Sequence, residues 1–270
     1  MKLPVIKINF VAVYKFIKKY ILRRKPAHRN FGYVRDKWDS RDTYYKVRVI
    51  KDLPVSTQRK NINSFFLRYD QGNIGSCVAN GICYAFRRVL QVNAMPDFDV
   101  SRLFAYYNAR QDKQNDTGAS IRDGFKAVNK FGICSEKKWP YITHRFAITP
   151  FPDSYTEALA HQSITYERIY PVTKEAIMDI IARGLPVVYG KMLFESFMTE
   201  EVARTGKVPM PRRCESEVGG HCMTIFDYNE KYTIELNSWG GDWGQTGVCE
   251  VPWDYVLKHG SDFWTFYLTE

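Results

Sequence analysis

The sequence predicts an α+β protein with two lobes, in which helices come first along the chain and antiparallel strands follow. Three observations support this fold class. Apolar residues recur at helical spacing between residues 78 and 183, and beyond residue 184 they alternate with polar residues as in strands. The strand segments include a pair joined by a short loop, as antiparallel neighbours are. The composition, 45% apolar and 25% charged over 270 residues, is that of an ordinary globular protein.

Four helices are predicted before the strands begin. The first starts at Cys77, and its apolar face is formed by Val78, Ile82, Ala85, Phe86 and Val89. Three further helical patterns cover residues 103–109, 121–131 and 173–183. Gly132 and Gly184 follow the last two patterns, at the position where glycine commonly ends a helix. Thr173 is a suitable capping residue for the last of them.

Five strands are predicted in the last third of the chain, over residues 185–189, 221–228, 232–237, 247–251 and 264–268. Residues 229–231 form a hairpin loop between the second and the third strand. Strands connected by a hairpin lie side by side. The start of the second strand and the end of the third are therefore expected to be neighbours.

Residues 1–50 differ from the rest of the chain in charge. They contain 14 lysines and arginines against three aspartates, so they account for the formal net charge of +10, and the remainder is close to neutral. Over residues 3–22 the apolar side chains share one helical face opposite the lysines, which predicts a basic amphipathic helix. Residues 31–42 are too polar and irregular for a core element and are interpreted as a surface strap. The predicted organisation is an N-terminal extension, 1–50, followed by one domain, 51–270.

The role of the extension stays open between a propeptide, a cover over the functional site and a membrane anchor. A basic amphipathic helix can lie on an anionic membrane surface, but we favour an extension that folds onto its own protein and partly covers the functional site. No apolar run near the start approaches the roughly 20 residues that span a membrane. No small-residue cleavage site of a signal peptide follows either. We therefore expect an intracellular protein in a reducing compartment.

Several functional classes are disfavoured by the motifs. The cysteines show neither CxxC pairs nor the histidine spacing of zinc sites, so no metal or other cofactor is expected. Without a secretory signal, six cysteines are weak evidence for disulfides, and free thiols are expected. No nucleic-acid motif accompanies the basic residues, so no nucleic-acid partner is expected. The glycine-rich run 240–247 lacks the GK[ST] ending of a phosphate loop. The sequence gives no indication of oligomeric state.

Cys77 is the candidate nucleophile. A thiol attacks as thiolate, and both a helix N-terminus and a nearby imidazolium lower its pKa. His221 opens one predicted strand and Asn237 closes the next, so the two side chains can meet. The imidazole would act as base, while the side-chain oxygen of Asn237 would hold its other ring nitrogen. Each of these residues alone is explained as well by a structural role, and only their combination indicates catalysis.

Together these residues resemble the papain-like cysteine peptidases. The resemblance includes Gln71, six residues before Cys77, and Trp239, two residues after Asn237. It implies that the side-chain amide of Gln71 and the main-chain N–H of Cys77 form the oxyanion hole. It also implies that Trp239 shields the hydrogen bond between Asn237 and His221 from water. The fold implied is a helical lobe packed against an antiparallel sheet or barrel lobe, with the active-site cleft between them.

Several segments are more similar to the disulfide-poor, xylellain-like microbial branch than to the lysosomal cathepsins: 101–108, 118–124, 195–197 and 262–265. The resemblance implies that Gly118 and Ala119 form the backbone edge along which a substrate strand lies. Gly220 and Trp239 are further predicted to contact the substrate. Ile74 stands where many members have a disulfide cysteine, and Val78 where they have tryptophan. The missing cysteine agrees with a reducing compartment.

The predicted function is hydrolysis of peptide bonds in peptide or protein substrates, through a Cys–His pair and a covalent acyl-enzyme. Two alternatives stay open. One is a catalytically silent binding protein with a papain fold, which the intact set of Gln71, Cys77, His221 and Asn237 disfavours. The other is an acyl or amide transferase that uses the same site.

Overall fold

The computed structural model describes residues 30–47, 52–57, 68–162 and 164–269. The amphipathic helix predicted over residues 3–22 lies outside these residues. The described chain consists of a helical half and a half built on a six-stranded antiparallel sheet. The predicted α+β fold is therefore confirmed.

The helical half contains α1, Cys77–Val92; α2, Arg102–Ala109; α3, Ile121–Phe131; and α4, Pro152–Ala158. The helix α1 begins at Cys77, as predicted, and α3 has the predicted bounds. The Ser120 hydroxyl accepts the main-chain N–H of Asp123 at 3.1 Å and caps the first turn of α3. Gly132 ends α3 at a φ of +73°, where a Cβ would lie 1.7 Å from the carbonyl oxygen of Ala158. Only glycine combines this backbone angle with this close approach.

The second half contains six strands in the spatial order β1-β6-β2-β3-β4-β5, each antiparallel to its neighbours. Their bounds are β1, Ile164–Arg168; β2, Val187–Phe194; β3, Glu217–Tyr228; β4, Tyr232–Leu236; β5, Val248–Pro252; and β6, Gly260–Leu268. Three helices accompany the sheet: α5, Lys174–Ala182; α6, Glu200–Thr205; and α7, Trp253–His259. Among the described strands the order ends at β1 and β5, so the lobe has the predicted sheet form and is not closed into a barrel.

Some elements differ from the sequence prediction. The strand β1 and the helices α4, α6 and α7 were not predicted, because helices of six or seven residues complete fewer than two turns and show little periodicity. The strand β2 continues past the predicted end at residue 189, and Lys191 lies buried within it. Its ammonium group forms a buried ion pair with Glu235 at 2.7 Å.

The helix α1 packs directly on the sheet, against β3. Gly81 of α1 allows this close approach, since a Cβ there would lie 3.2 Å from both the Cys222 Sγ and the Thr224 Oγ1. The Thr224 hydroxyl donates to the carbonyl oxygen of Gly81 at 2.9 Å. This packing brings the N-terminus of α1, which carries Cys77, to the part of β3 that carries His221. The two halves thus meet where the predicted site residues lie.

Candidate active site

Cys77 is fully buried at the N-terminus of α1. The main-chain amides of Cys222, Gly32 and Val78 lie near its thiol and lower its pKa. Burial is the larger effect and raises the pKa of the Cys77 thiol to about 11, although these amides favour the thiolate. The sequence predicted a lowered pKa. The difference arises because residues around Gly32 lie over the thiol and remove it from water.

His221 and Asn237 are joined by a hydrogen bond of 2.9 Å between the histidine Nε2 and the asparagine Oδ1. The same Oδ1 accepts the main-chain N–H of Ser238 at 2.8 Å. The N–H of Ser238 can only donate, so the Asn237 atom that it contacts must be the amide oxygen. This oxygen accepts a hydrogen bond from His221, so Nε2 is the protonated nitrogen of the neutral ring. The tautomer assigned in this way leaves Nδ1 as the basic nitrogen.

The position of His221 relative to Cys77 follows from the chain. Cys222, the residue after His221, has its main-chain amide near the Cys77 thiol, where it lowers the pKa of that thiol. The imidazole therefore belongs to the residue adjacent to one that contacts the nucleophile. The structure brings the predicted base and its predicted orienting group to the buried end of α1.

Trp239 packs against the His221 ring. Its ring centroid lies 4.9 Å from that of His221, with 35° between the planes, and the side chain is buried. Phe197 and Trp243 pack against Trp239 in turn. This arrangement excludes water from the hydrogen bond between His221 and Asn237. The predicted contact between Trp239 and substrate stays a prediction.

Gln71 is fully buried next to Ser238, the residue that follows Asn237. Its Oε1 accepts the Ser238 hydroxyl at 2.7 Å, which leaves the amide nitrogen as donor. Its Nε2 donates to the carbonyl oxygens of Ile74 at 3.0 Å and Asn30 at 3.1 Å. The main chain of Gln71 is also tied to Ser238, since its N–H donates to the carbonyl oxygen of that residue at 2.8 Å. The amide of Gln71 is thereby held in one orientation.

Residues 30–34 lie in the cleft between the two halves. The N–H of Ala119 donates to the carbonyl oxygen of Gly32 at 2.9 Å, and the N–H of Val34 donates to the carbonyl oxygen of Ala119 at 3.0 Å. Tyr33 forms an isolated parallel bridge with Ala119. The edge predicted to hold a substrate strand, Gly118 and Ala119, therefore holds this segment. The interpretation of residues 31–42 as a surface strap is wrong for Gly32, which is buried.

Contacts of this segment reach both halves of the site. A Cβ on Gly32 would lie 1.6 Å from the carbonyl oxygen of Gly75, so the main chains cross in close contact. The Phe31 ring approaches His221 edge-on, with centroids 6.5 Å apart. The Tyr33 ring lies against Gly220, the other residue predicted to contact substrate. We call residues 30–47 the cover segment.

The remaining observations concern disulfides, metal binding and membrane-spanning helices. All six cysteines, each within the described part of the chain, are free thiols. Over the described ranges no group of three or more histidine, cysteine, aspartate or glutamate side chains is arranged to hold a metal ion. Within the same ranges no helix is both long and apolar enough to cross a membrane.

A two-lobed fold with a cysteine at a helix N-terminus and a histidine held by an asparagine defines a class of thiol hydrolases. The chain belongs to the papain family of cysteine proteases, since the family described as "Papain family cysteine protease" matches residues 54–255. The predicted enzyme class, a papain-like cysteine peptidase and thus a hydrolase, is confirmed by family.

Known proteins resemble the chain over most of its length. An uncharacterized peptidase C1-like protein of Acanthamoeba polyphaga mimivirus is 39% identical over 269 residues, which cover 87% of this chain and 86% of that protein. The crystal structure of xylellain, a cysteine protease from Xylella fastidiosa, has a TM-score of 0.82 and 29% identity, and covers 90% of this chain and 97% of that one. The predicted resemblance to xylellain is confirmed.

A more distant structure shows the fold alone. It is a cysteine protease of Carica candamarcensis in complex with E-64, at a TM-score of 0.59 and 17% identity, which covers 80% of this chain and 99% of that one.

Sequence reasoning missed the residues that fill the cleft. Asn30, Gly32 and Tyr33 contact Gln71, Cys77 and the Ala119 edge. A glycine next to an aromatic residue in a polar segment does not by itself indicate a close main-chain crossing. The one usable signal was that residues 31–42 have neither a core pattern nor a helical pattern and precede the peptidase domain.

Proposed function

We propose that this protein hydrolyses peptide bonds through a covalent acyl-enzyme on Cys77. The Cys77 proton passes to Nδ1 of His221, and Sγ adds to the carbonyl carbon of the scissile bond. The C–N bond then breaks, and the amine leaves with the proton from His221. Water attacks the resulting thioester and gives its proton to His221. The carboxylic acid leaves, and the Cys77 thiol is restored.

Two further groups support these steps. The Asn237 Oδ1 accepts a hydrogen bond from the protonated Nε2 of His221. This bond keeps Nδ1 available as base and stabilises the imidazolium that forms. The Gln71 Nε2 and the main-chain N–H of Cys77 are the proposed donors to the tetrahedral oxyanion. The amide of Gln71 is fixed before substrate arrives, so little reorganisation is needed.

The observation that carries this proposal is the position of one carbonyl oxygen. The Asn30 carbonyl oxygen lies 3.1 Å from the Gln71 Nε2, and the Gly32 main-chain amide, two residues later, lies near enough to the Cys77 thiol to lower its pKa. A peptide chain can therefore lie across the thiol with a carbonyl oxygen on the proposed oxyanion donor. The segment that does so belongs to the protein itself.

Substitution at the four residues tests the mechanism. Cys77→Ala is expected to abolish peptide hydrolysis while the protein stays folded. His221→Ala should lose nearly as much activity because nucleophile and base act as one unit. Gln71→Ala should lose a factor of ~10² to 10³ in kcat, as for one oxyanion donor. Cys249→Ala is the matched control, since this thiol is equally buried but lies on β5. Wild-type turnover in Cys77→Ala would contradict the proposal.

The two alternatives make different predictions. A silent binding protein would bind peptides without turnover and would form no adduct with the epoxide E-64 at Cys77, which intact-mass and peptide mapping detect. An acyl or amide transferase would convert the acyl-enzyme into amides when amines are added. Product analysis with and without added amines separates this from hydrolysis.

We also propose that residues 1–50 contain a cover for the cleft, and that residues 51–270 form the peptidase domain. The cover segment supports this, because it contacts the thiol, the oxyanion donor and the substrate edge at once. The membrane alternative predicts strong binding of the full chain to anionic vesicles that fades at high salt. Such binding, together with kinetics that do not respond to substitutions in the cover segment, would favour the membrane role.

A further inference from the structure

The Tyr33 ring lies in a slot on the sheet half of the protein. Its walls are Gly190 of β2 and Gly220 of β3. At the end of the slot the phenol hydroxyl lies 2.7 Å from the Ser261 Oγ and donates to the Asp262 Oδ2. The slot therefore accepts a flat aromatic ring and ends in polar groups.

The slot is wide enough for a ring because both of its wall residues are glycines, which have no side chain. A Cβ on Gly190 would lie 2.0 Å from the Cζ of Tyr33, and a Cβ on Gly220 would lie 2.9 Å from its Cδ1. Real Cβ atoms do not approach other heavy atoms at the first of these distances. An alanine at position 190 would thus fill the place of the ring. The glycines make room for an aromatic side chain from another segment.

A β-bulge directs Asp262 into the slot. In the β2–β6 pair, Val188 lies opposite Trp264 and Gly190 lies opposite Ser261, so β6 has one residue more than β2 between these pairs. Asp262 lies in this extra stretch with a φ of +50°, in the left-handed region that non-glycine residues rarely adopt. Bulges of this kind occur next to active sites, where they redirect a side chain. The strained backbone is consistent with a role for this carboxylate.

The two carboxylate oxygens of Asp262 have different partners. Oδ1 is paired with the Arg168 guanidinium, which belongs to the body of the protein. Oδ2 accepts the Tyr33 hydroxyl and, at 2.7 Å, the main-chain N–H of Asp36. Both donors to Oδ2 come from the cover segment. When that segment leaves the cleft, Oδ2 and the Ser261 hydroxyl become acceptors at the end of the slot.

We propose that this slot selects tyrosine over phenylalanine in the peptide substrate, and that Ser261 and Asp262 recognise the phenol hydroxyl. The inference rests on the proposed peptidase function. A site built to bond a hydroxyl disfavours the analogue without it, because its own polar groups are then left desolvated and unpaired. Arg168 already balances the charge of Asp262, so the slot offers a hydrogen-bond acceptor and no unpaired negative charge. This favours tyrosine over lysine.

Competition between substrates tests the inference in the full chain. Peptides that differ only by Tyr, Phe or Lys at one position, scanned through the sequence, are digested together and the cleavage sites are mapped by mass spectrometry. Two substrates in one tube report the ratio of their kcat/KM, which does not depend on how much enzyme is covered. We expect one position within a few residues of the cut where Tyr is preferred over Phe by roughly 10-fold or more.

Three variants locate the preference. Ser261→Ala should reduce the Tyr/Phe ratio, and Asp262→Asn should reduce it further. If Asp262→Asn fails to fold, Ser261→Ala still tests the inference, because it leaves the ion pair between Arg168 and Asp262 intact. Gly190→Ala should lower cleavage of both aromatic peptides. The matched control is Thr156→Ala, which removes an exposed hydroxyl on α4 and should leave the ratio unchanged.

The outcomes separate the two proposals. Equal cleavage of the Tyr and Phe peptides, or a preference for Lys, overturns the slot assignment and leaves the peptidase function standing. A Tyr preference that Ser261→Ala and Asp262→Asn do not alter assigns it to another site and also overturns the inference. Cleavage of no peptide by either the wild type or Tyr33→Ala, in which the slot is emptied, overturns the peptidase function and the inference with it.

Discussion

The two parts of the cover segment are held in different ways. Residues 30–34 are held by close contact: main-chain hydrogen bonds to Ala119 and a glycine crossing at Gly75. Residues 36–42 are held by charge, since Asp36 and Asp42 meet Arg122 of α3 and Arg168 of β1. The first part depends on shape and the second on pairing. Each part therefore has its own kind of weakness.

The ion-paired carboxylates of the charged part are well buried. Side-chain exposure is 6% for Arg122 and 7% for Asp42, and the Arg122 Nε donates to the Asp42 Oδ1 at 2.7 Å. The Asp36 Oδ2 accepts the indole N–H of Trp264 at 2.8 Å. Removing one member of a buried ion pair leaves its partner buried and uncompensated. This part should thus respond strongly to charge changes and little to modest changes in size.

The largest expected effect comes from Arg122→Met. It leaves Asp42 without its closest partner, which should cost about 3–5 kcal/mol of unfolding free energy. Denaturant unfolding of the full chain measures this. The matched control is Arg41→Met, where the arginine is 81% exposed beside Asp39, and little change is expected. Similar losses in both variants would show that burial does not distinguish the two pairs.

The close-contact part is tested by Gly32→Ala. The new Cβ would meet the Gly75 carbonyl at 1.6 Å, so the segment must move. Overpacking of this kind costs about 1–3 kcal/mol, which shifts the ratio of uncovered to covered protein roughly 5- to 150-fold. Peptidase activity and the rate of Cys77 alkylation by iodoacetamide should rise together.

The control for this substitution is Gly241→Ala, where a Cβ meets only Arg68 carbons at 3.5 Å and no large change is expected. Unchanged alkylation of Cys77 in Gly32→Ala would contradict the idea that this crossing protects the thiol.

A pH effect of defined sign comes from the charged part. Burial, followed by the nearby Asp262 carboxylate, raises the pKa of Asp36. The covered form thus holds this proton more firmly than the released segment does. The contribution to cover binding is complete below the ordinary Asp pKa of 3.8 and is lost as pH rises through the raised pKa. Through Asp36, acidification tightens the cover, although Arg122 and Arg168 lie beside it.

This sign is measured as the Cys77 alkylation rate of the wild type divided by that of Asp36→Asn at each pH, which cancels the pH dependence of the thiol itself. The ratio should fall as pH is lowered toward 4. A ratio that rises on acidification would contradict the sign and point to other carboxylates as the acid-sensitive groups.

The smallest expected effect is that of Tyr33→Phe. It removes only the hydroxyl that bonds Ser261 and Asp262, while the ring still fits between Gly190 and Gly220. Loss of these bonds should weaken the cover by about 1 kcal/mol, or roughly fivefold in the uncovered fraction. The alkylation rate of Cys77 reports it. No change would indicate that the ring alone holds this residue.

Most of the fold was predictable where local patterns are strong. The start of α1 at Cys77 and both bounds of α3 follow from apolar periodicity, together with Gly132 at the end of α3. The strand β1 and the short helices carry little periodicity, and they form because the neighbouring sheet supports them. The strand β2 is longer than predicted. A lysine such as Lys191 does not indicate a buried strand position, and only the structure shows that its charge is paired inside the protein.

The sequence alone determined which residues carry the proposed chemistry. Cys77, His221, Asn237 and Gln71 were chosen from a helix start, a hairpin and a family resemblance, which are local signals or matched motifs. What occupies the cleft was decided only by the tertiary structure. Tyr33 and Ser261 are 228 residues apart in sequence. They meet because β6 lies between β1 and β2 and carries a bulge. A glycine such as Gly190 gives no local sign of the side chain for which it makes room.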